Sequence, residues 1–433
     1  MNILLINAFS QGSKNNSYLS RKIKNIFITP SLSLRHIATI TPNTHSVKLI
    51  DEAFDKVDFE DDCDLVGISC IHTSSAIRAY ELADEFRRRG KTVVLGGWHP
   101  SALPGEAKMH ADSVVVGEAE ETWPRLLKDF ENKKLKPYYY QEKPIDLRNV
   151  PITNHSLISK FTLVESIQAT RGCPVGCEFC AITHQKFGCI FRIRPVEEVI
   201  KEIKSIPQKF IIFQDASFSI NLKYVKNIFK GMKELNKKFR CWMNANVPLK
   251  DKEFLKLACE AGCIAIEIGF ESVSQNTINA LNKNTNIVKE YKSIIKIIHD
   301  YGIMVGGTFV FGFDTDTSDT FKKTSNTIHD LDIDVPKFGI LTPLPGTPLF
   351  EKMNKEGRVI TYDWSKYDLG HVVFKPKNMT PEELIYESYK LAKNFYSTRK
   401  ILKRSFRNNH LNFYSWLWRL SANIYGKESL MMN

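Results

Sequence analysis

From Asn2 to Gly117 the chain passes through five short apolar runs, NILLINAF, HSVKLID, DLVGISC, TVVLGG and DSVVVG, separated by helix-patterned stretches. The runs are strand-length and rich in Val and Ile. Intervening segments such as SSAIRAYELADEFRRRG space their apolar residues helically and end at a glycine, Gly90, suited to a helix C-cap. Strands that alternate with helices read as β-α-β units, so residues 1–135 are expected to form a Rossmann-like, doubly wound α/β domain. Sheets of this kind bind ligands beyond the carboxyl ends of their strands, which singles out the loops beginning at Cys70, Gly96 and Gly117.

Periodicity then lapses over residues 136–160, where prolines punctuate an expected linker. A second alternation follows, beginning with FTLVESIQAT and continuing through KFIIFQDAS, FRCWMNAN, CIAIEIGF, MVGGTFVFGF and VPKFGILTPL. Six β/α units over residues 161–348 predict a partial parallel barrel of (β/α)6 type, with its chemistry at the C-terminal strand ends. Residues 349–433 are expected to form a C-terminal helical subdomain, in which Thr380 and Glu383 spell a capping box.

A chain of 433 residues with 43% hydrophobic and 25% charged residues has the composition of a soluble globular protein of two or three domains. No apolar run is long enough to span a bilayer. Neither a signal peptide nor a disulfide framework is evident, so a reducing, cytoplasmic location is expected. The net charge of +12 is interleaved along the length, without the stripe that a nucleic-acid partner would need. One local exception is YSTRKILKRSFRNNHLNFYSWLWRL, where basic and aromatic residues mix. A terminal helix packed on its domain and peripheral contact with a membrane surface are both open readings.

The loop after the first strand of the second alternation reads RGCPVGCEFC, and places Cys173, Cys177 and Cys180 at C-x3-C-x2-C spacing. Zinc closed by His184, and a four-cysteine cluster closed by Cys189, are two arrangements the spacing could serve, although neither follows a regular ligand pattern. The third is a cubane cluster held at three irons with the fourth left open.

This motif, with the aromatic Phe179 ahead of the third cysteine, resembles the signature of the radical S-adenosylmethionine (SAM) superfamily. The resemblance implies a [4Fe–4S] cluster on Cys173, Cys177 and Cys180, and SAM on the open iron as source of a 5′-deoxyadenosyl radical. It also implies SAM contacts at the strand ends, from Phe179, Asp215, Asn244, Glu271 and Thr308. As bare residues, several of these would equally serve as caps or turn formers.

The first domain lacks a G-x-G-x-x-G fingerprint, which argues against a dinucleotide. Its phrases DLVGISCIHTSSAIRAYELA, VVLGGWHPSALPGEA and HADSVVVGEAEETW resemble the cobalamin-binding domain of cobalamin-dependent radical SAM enzymes. That resemblance implies cobalamin contacts at Ser69, Thr73, Gly96, Gly97, His99, Gly117 and Glu118, with Gly96 and Gly97 admitting the corrin. The D-x-H-x-x-G motif that supplies a lower cobalt ligand elsewhere is absent, which leaves His72, His99 or no protein ligand. The class implies methyl transfer to an unactivated carbon of a small molecule or lipid, fed by an electron donor such as flavodoxin or ferredoxin. A ring-forming oxidative enzyme like the anaerobic porphyrin cyclase is the alternative.

Overall fold

The computed structural model describes residues 1–9, 29–158, 162–405 and 411–430. Two six-stranded sheets dominate the molecule, and every pairing within them is parallel. The first comprises β1 (Asn2–Asn7), β2 (Ser46–Asp51), β3 (Leu65–Ser69), β4 (Thr92–Gly96), β5 (Ser113–Val116) and β6 (Tyr138–Tyr140), in the order 2-1-3-4-5-6. Strand order reverses beside β1, as in a doubly wound sheet. Helix Ala76–Arg88 buries Ala76, Ala79, Tyr80, Leu82, Ala83 and Phe86 on one face, and Gly90 follows at φ +75. Sequence reading stopped this domain one strand short: β6 falls in the expected linker, and pairs Val114–Val116 with Tyr138–Tyr140.

The second sheet carries β7 (Val164–Ile167), β10 (Phe210–Phe213), β11 (Lys238–Trp242), β12 (Cys263–Glu271), β13 (Met304–Phe311) and β14 (Val335–Ile340) as successive neighbours. Among the described residues β14 does not pair with β7, so the barrel is open. Between β7 and β10 the short strands β8 (Thr170–Arg171) and β9 (Arg192–Ile193) form an antiparallel ribbon. Phe161, which opens the expected first strand, lies outside the described residues, as do residues 159–160 of the expected linker and residues 10–28.

The C-terminal region divides between the two sheets. Phe350, Trp364, Tyr367 and Val373 join the core of the first domain, and the Trp364 indole donates to Glu106 at 2.8 Å. Helices Pro381–Phe395, Thr398–Ser405 and Phe413–Leu430 instead cover the second sheet, the last of them packing Tyr414 and Trp418 on Phe210, Ile264, Met304 and Val335 at the N-terminal strand ends. The capping box at Thr380 and Glu383 forms as expected, with each side chain bonded to the other's backbone amide.

Candidate functional site

The loop that carries the three cysteines lies at the mouth of the barrel, closed at its base by the β8–β9 ribbon. Its backbone is pinned locally: the Cys173 amide donates to the Gly188 carbonyl at 2.8 Å and the Cys180 amide to the Cys177 carbonyl at 3.0 Å. Two glycines make this tight course possible. Gly172 has φ +85, and a Cβ there would overlap the Ile190 carbonyl, while a Cβ on Gly188 would overlap that of Ile182.

None of the three thiols is in a disulfide; Cys177 is buried, and Cys173 and Cys180 are partly exposed. Burial pushes the Cys177 thiol up to about 11, against the opposing charge of Lys283. It also raises Cys173, and there the Val175 amide and Thr183 hydroxyl act in the opposite direction by favouring the thiolate. His184 directs Nε2 at the Cys177 carbonyl, at 3.1 Å, and Cys189 is exposed. Among the described residues no three His, Cys, Asp or Glu side chains converge on a point where one ion could sit. Three thiols on one loop, one of them with donors for its thiolate, fit a cluster that takes each sulfur on a separate iron, and do not fit a closed zinc site.

Around this loop the expected SAM contacts have different surroundings. Asp215 is buried, and its carboxylate accepts the Ala169 amide at 3.2 Å and the Thr170 amide and hydroxyl at 2.5 and 2.6 Å. Burial raises its pKa to about 6. It therefore ties the strand that feeds the cysteine loop, and both oxygens are occupied by that task. Glu271 is 7% exposed and sits at φ +60, just past a register shift in β12. Its carboxylate pairs with Lys283, whose ammonium also donates to the Gly269 carbonyl at 2.8 Å. Both charges act on Cys177, so this ion pair lies beside the cysteines. Asn244 is partly exposed at the end of β11, its amide held by Ser219 at 2.9 Å. Thr308 keeps its hydroxyl buried without a protein partner, and the Phe179 ring packs 6.2 Å from Phe313.

At the carboxyl edge of the first sheet, Ser69, Thr73, Gly96 and Gly117 are all partly exposed. Two expectations change here. Gly97, at φ +113, is required by the chain itself, because a Cβ would overlap the Cys70 carbonyl; Gly96 has ordinary room, 3.6 Å from Val115. His99 is fully buried between Tyr80 and Trp364, with Nε2 3.4 Å from Glu106. His72 remains exposed at the edge, as does the neighbouring indole of Trp98, 37% exposed. Small residues beside a flat, exposed aromatic ring fit a large planar group.

Glu118 faces neither solvent nor ligand alone. Arg192 grips it with two hydrogen bonds, at 2.6 and 2.9 Å, and Arg171 approaches to 3.4 Å. Beside it Glu120 pairs with Arg171 at 2.6 Å and with His36 at 2.9 Å. Burial alone would raise the Glu120 carboxyl; the Arg171 charge and the His36 hydrogen bond outweigh it and hold the group well below the usual range. Arg171 and Arg192 belong to the ribbon under the cysteine loop, so these pairs clamp that loop against the first sheet. Between the two lies a cavity of about 150 Å³, lined by Ser101, Val116 and Gly117 on one side, Ala181 and His184 on the other, and closed by Gly346. Sequence reasoning missed Lys283, Trp98 and both arginines, although the arginines flank the cysteine motif closely enough to have been a signal.

This pairing of units is found in known proteins. Residues 26–127 match the B12 binding domain family and residues 167–328 the Radical SAM superfamily. The chain belongs to the cobalamin-binding radical SAM enzymes, in the class of cobalamin-dependent methyltransferases. Two proteins of Chlorobaculum tepidum are each 33% identical to it: bacteriochlorophyllide d C-12(1)-methyltransferase, covering 90% of this chain and 87% of its own length, and bacteriochlorophyllide d C-8(2)-methyltransferase, covering 87% and 88%. In fold it is similar to the radical SAM methyltransferase TsrM of Kitasatospora setae, with a TM-score of 0.72 over 99% of this chain and 98% of that one, at 16% identity.

Proposed function

We propose that this enzyme transfers a methyl group to an unactivated carbon of a small, largely apolar substrate held between the first sheet's carboxyl edge and the cysteine loop. The observation that carries this reading is that the cysteine loop faces the carboxyl edge of the first sheet, held there by the Glu118–Arg192 and Glu120–Arg171 pairs. Bound cobalamin and cluster-bound SAM supply the methyl group and the radical chemistry, which belong to the cofactors.

The protein's part is placement. Cys173, Cys177 and Cys180 would hold a [4Fe–4S] cluster, which would supply the electron for SAM cleavage. Lys283, paired with Glu271 beside the thiols, provides the positive charge for the SAM carboxylate, while Asn244 and the unpartnered Thr308 hydroxyl offer polar contacts at neighbouring strand ends. Asp215 acts indirectly, by fixing the entry to the loop. Ser69, Thr73, Gly117 and Trp98 receive the corrin, with no histidine from His99. Arg192 engages Glu118 in the clamp. The reductant is a small electron-transfer protein such as flavodoxin or ferredoxin, and the enzyme works in the cytoplasm.

Tetrapyrroles, on which the two Chlorobaculum relatives act by name, are the substrate class to assay first. Reduced, reconstituted enzyme given methyl-labelled SAM should label the product and form S-adenosylhomocysteine alongside 5′-deoxyadenosine. Unlabelled product with normal 5′-deoxyadenosine formation would overturn methyl transfer in favour of an oxidative cyclase.

A further inference from the structure

Helix Phe413–Leu430 packs Tyr414 and Trp418 on the second sheet, yet buries a polar row and leaves a second apolar strip uncovered. Its polar residues Ser415, Arg419 and Asn423, four apart, are buried against the protein, where Arg419 meets Asp334 at 3.2 Å and Asn423 bonds the Asp334 carbonyl and the Arg404 guanidinium. Its apolar residues Phe413, Leu417 and Ile424 share the opposite face, exposed by 66, 41 and 46%. Leu402, 52% exposed, lies on the adjoining helix Thr398–Ser405. Soluble helices normally show the reverse arrangement.

The charge around this face is one-sided. Between Ser388 and Lys427 the sequence holds nine Lys and Arg residues and no Asp or Glu. Arg404 and Arg419 are buried and Arg407 lies outside the described residues; Lys390, Lys393, Arg399, Lys400, Lys403 and Lys427 are exposed or partly so. A second copy docked through this face would set the same cations against themselves, since a two-fold interface is self-complementary. An apolar strip with predominantly basic flanks, where Glu387 pairs with Lys390 and Glu428 follows Lys427, instead complements an anionic surface that accepts hydrocarbon.

We infer that the C-terminal helices dock this enzyme on an anionic lipid bilayer, with Leu417 and Ile424 entering the acyl boundary and Arg399 and Lys403 at the headgroups. No described helix is long and apolar enough to cross a membrane, so the contact is interfacial. The docking face covers the N-terminal strand ends, the opposite end of the barrel from the cysteine loop, and leaves the barrel mouth clear of the bilayer.

The test is anaerobic sedimentation of the reconstituted full-length enzyme with vesicles of equal parts phosphatidylcholine and phosphatidylglycerol, against phosphatidylcholine alone. Partitioning should favour the anionic vesicles by roughly tenfold or more at low salt, and decline as salt rises. Leu417→Glu with Ile424→Glu, on exposed side chains, should abolish binding, and Arg399→Glu with Lys403→Glu should weaken it about tenfold, both with unchanged melting temperature and iron content. Equal binding to both vesicle types, unaltered binding by the folded variants, or a concentration-dependent dimer abolished by the Leu417/Ile424 variant would overturn the inference. Should the double variant fail to fold, Arg399→Glu with Lys403→Glu alone decides, by the same tenfold criterion.

Discussion

Replacing Arg35 by methionine should loosen the two sheets from each other. Arg35 lies on helix Leu32–Ile40 of the first domain and grips Glu165, on β7 of the second, with two hydrogen bonds at 2.6 and 2.7 Å; the two side chains are 0 and 2% exposed. Burial alone would raise the Glu165 carboxyl, but hydrogen bonds from Arg35 and His155 outweigh it and hold it at about 2. Lowering the group from its ordinary 4.5 to about 2 corresponds to about 3 kcal/mol of stability at neutral pH. Because the folded value lies below the unfolded one, that contribution is full above about pH 4.5 and is lost as pH falls toward 2. Removing one partner of a buried pair costs about 3–5 kcal/mol, in agreement with that figure, and apolar replacement of both is often close to neutral. Arg35→Met should therefore lower the unfolding free energy by about 3 kcal/mol or more, and Arg35→Met with Glu165→Met should recover at least half of the loss. Urea titrations of both variants at pH 7, followed by fluorescence and by cobalamin content, read this directly. A single variant within about 1 kcal/mol of the parent, or a double variant no better than the single, would refute the reasoning.

Replacing Cys173, Cys177 and Cys180 together with alanine should abolish the iron–sulfur absorption of anaerobically purified protein while leaving cobalamin bound; iron retained in stoichiometric amount would disprove the assignment. Asp215→Ala strands two backbone amides at the root of the cysteine loop, and should cost about 2–4 kcal/mol and lower cluster occupancy, read by melting and iron analysis. Gly97→Ala should destabilise the cofactor-free protein, because the added Cβ meets the chain's own Cys70 carbonyl, whereas Gly96→Ala should be tolerated; equal melting temperatures for the two would contradict this.

Strands in both sheets were legible because each is a short, nearly continuous apolar run between helix-patterned segments, the form that burial on both faces imposes on parallel strands. Tyr138–Tyr140 escaped notice since YYY is brief, sits among prolines, and is recruited at the sheet edge by pairing with Val114–Val116. The cysteine loop stood out by its spacing, and the resemblance to the radical SAM signature, not the spacing alone, implied a cluster there. Its surroundings were not legible: Lys283 meets Glu271 across the helix Gln275–Ala280, and Arg192 meets Glu118 over 74 positions of chain, distances at which no local pattern carries a signal. Gly97 and His99 also have structural duties that the sequence did not display, one serving a close backbone approach and the other packing under Trp364.

Because Arg35, Glu118 and Glu120 find their partners in Glu165, Arg171 and Arg192, the two halves of this enzyme are not interchangeable parts. During synthesis the first half leaves the ribosome with these charges uncompensated, and it completes its fold only when the ribbon and β7 emerge. A chimera that took its cobalamin domain from one relative and its barrel from another would separate each acid from its base. Grafting would succeed only where all six residues travel together, so recombination within this class is expected to exchange substrate loops and C-terminal helices more freely than whole domains.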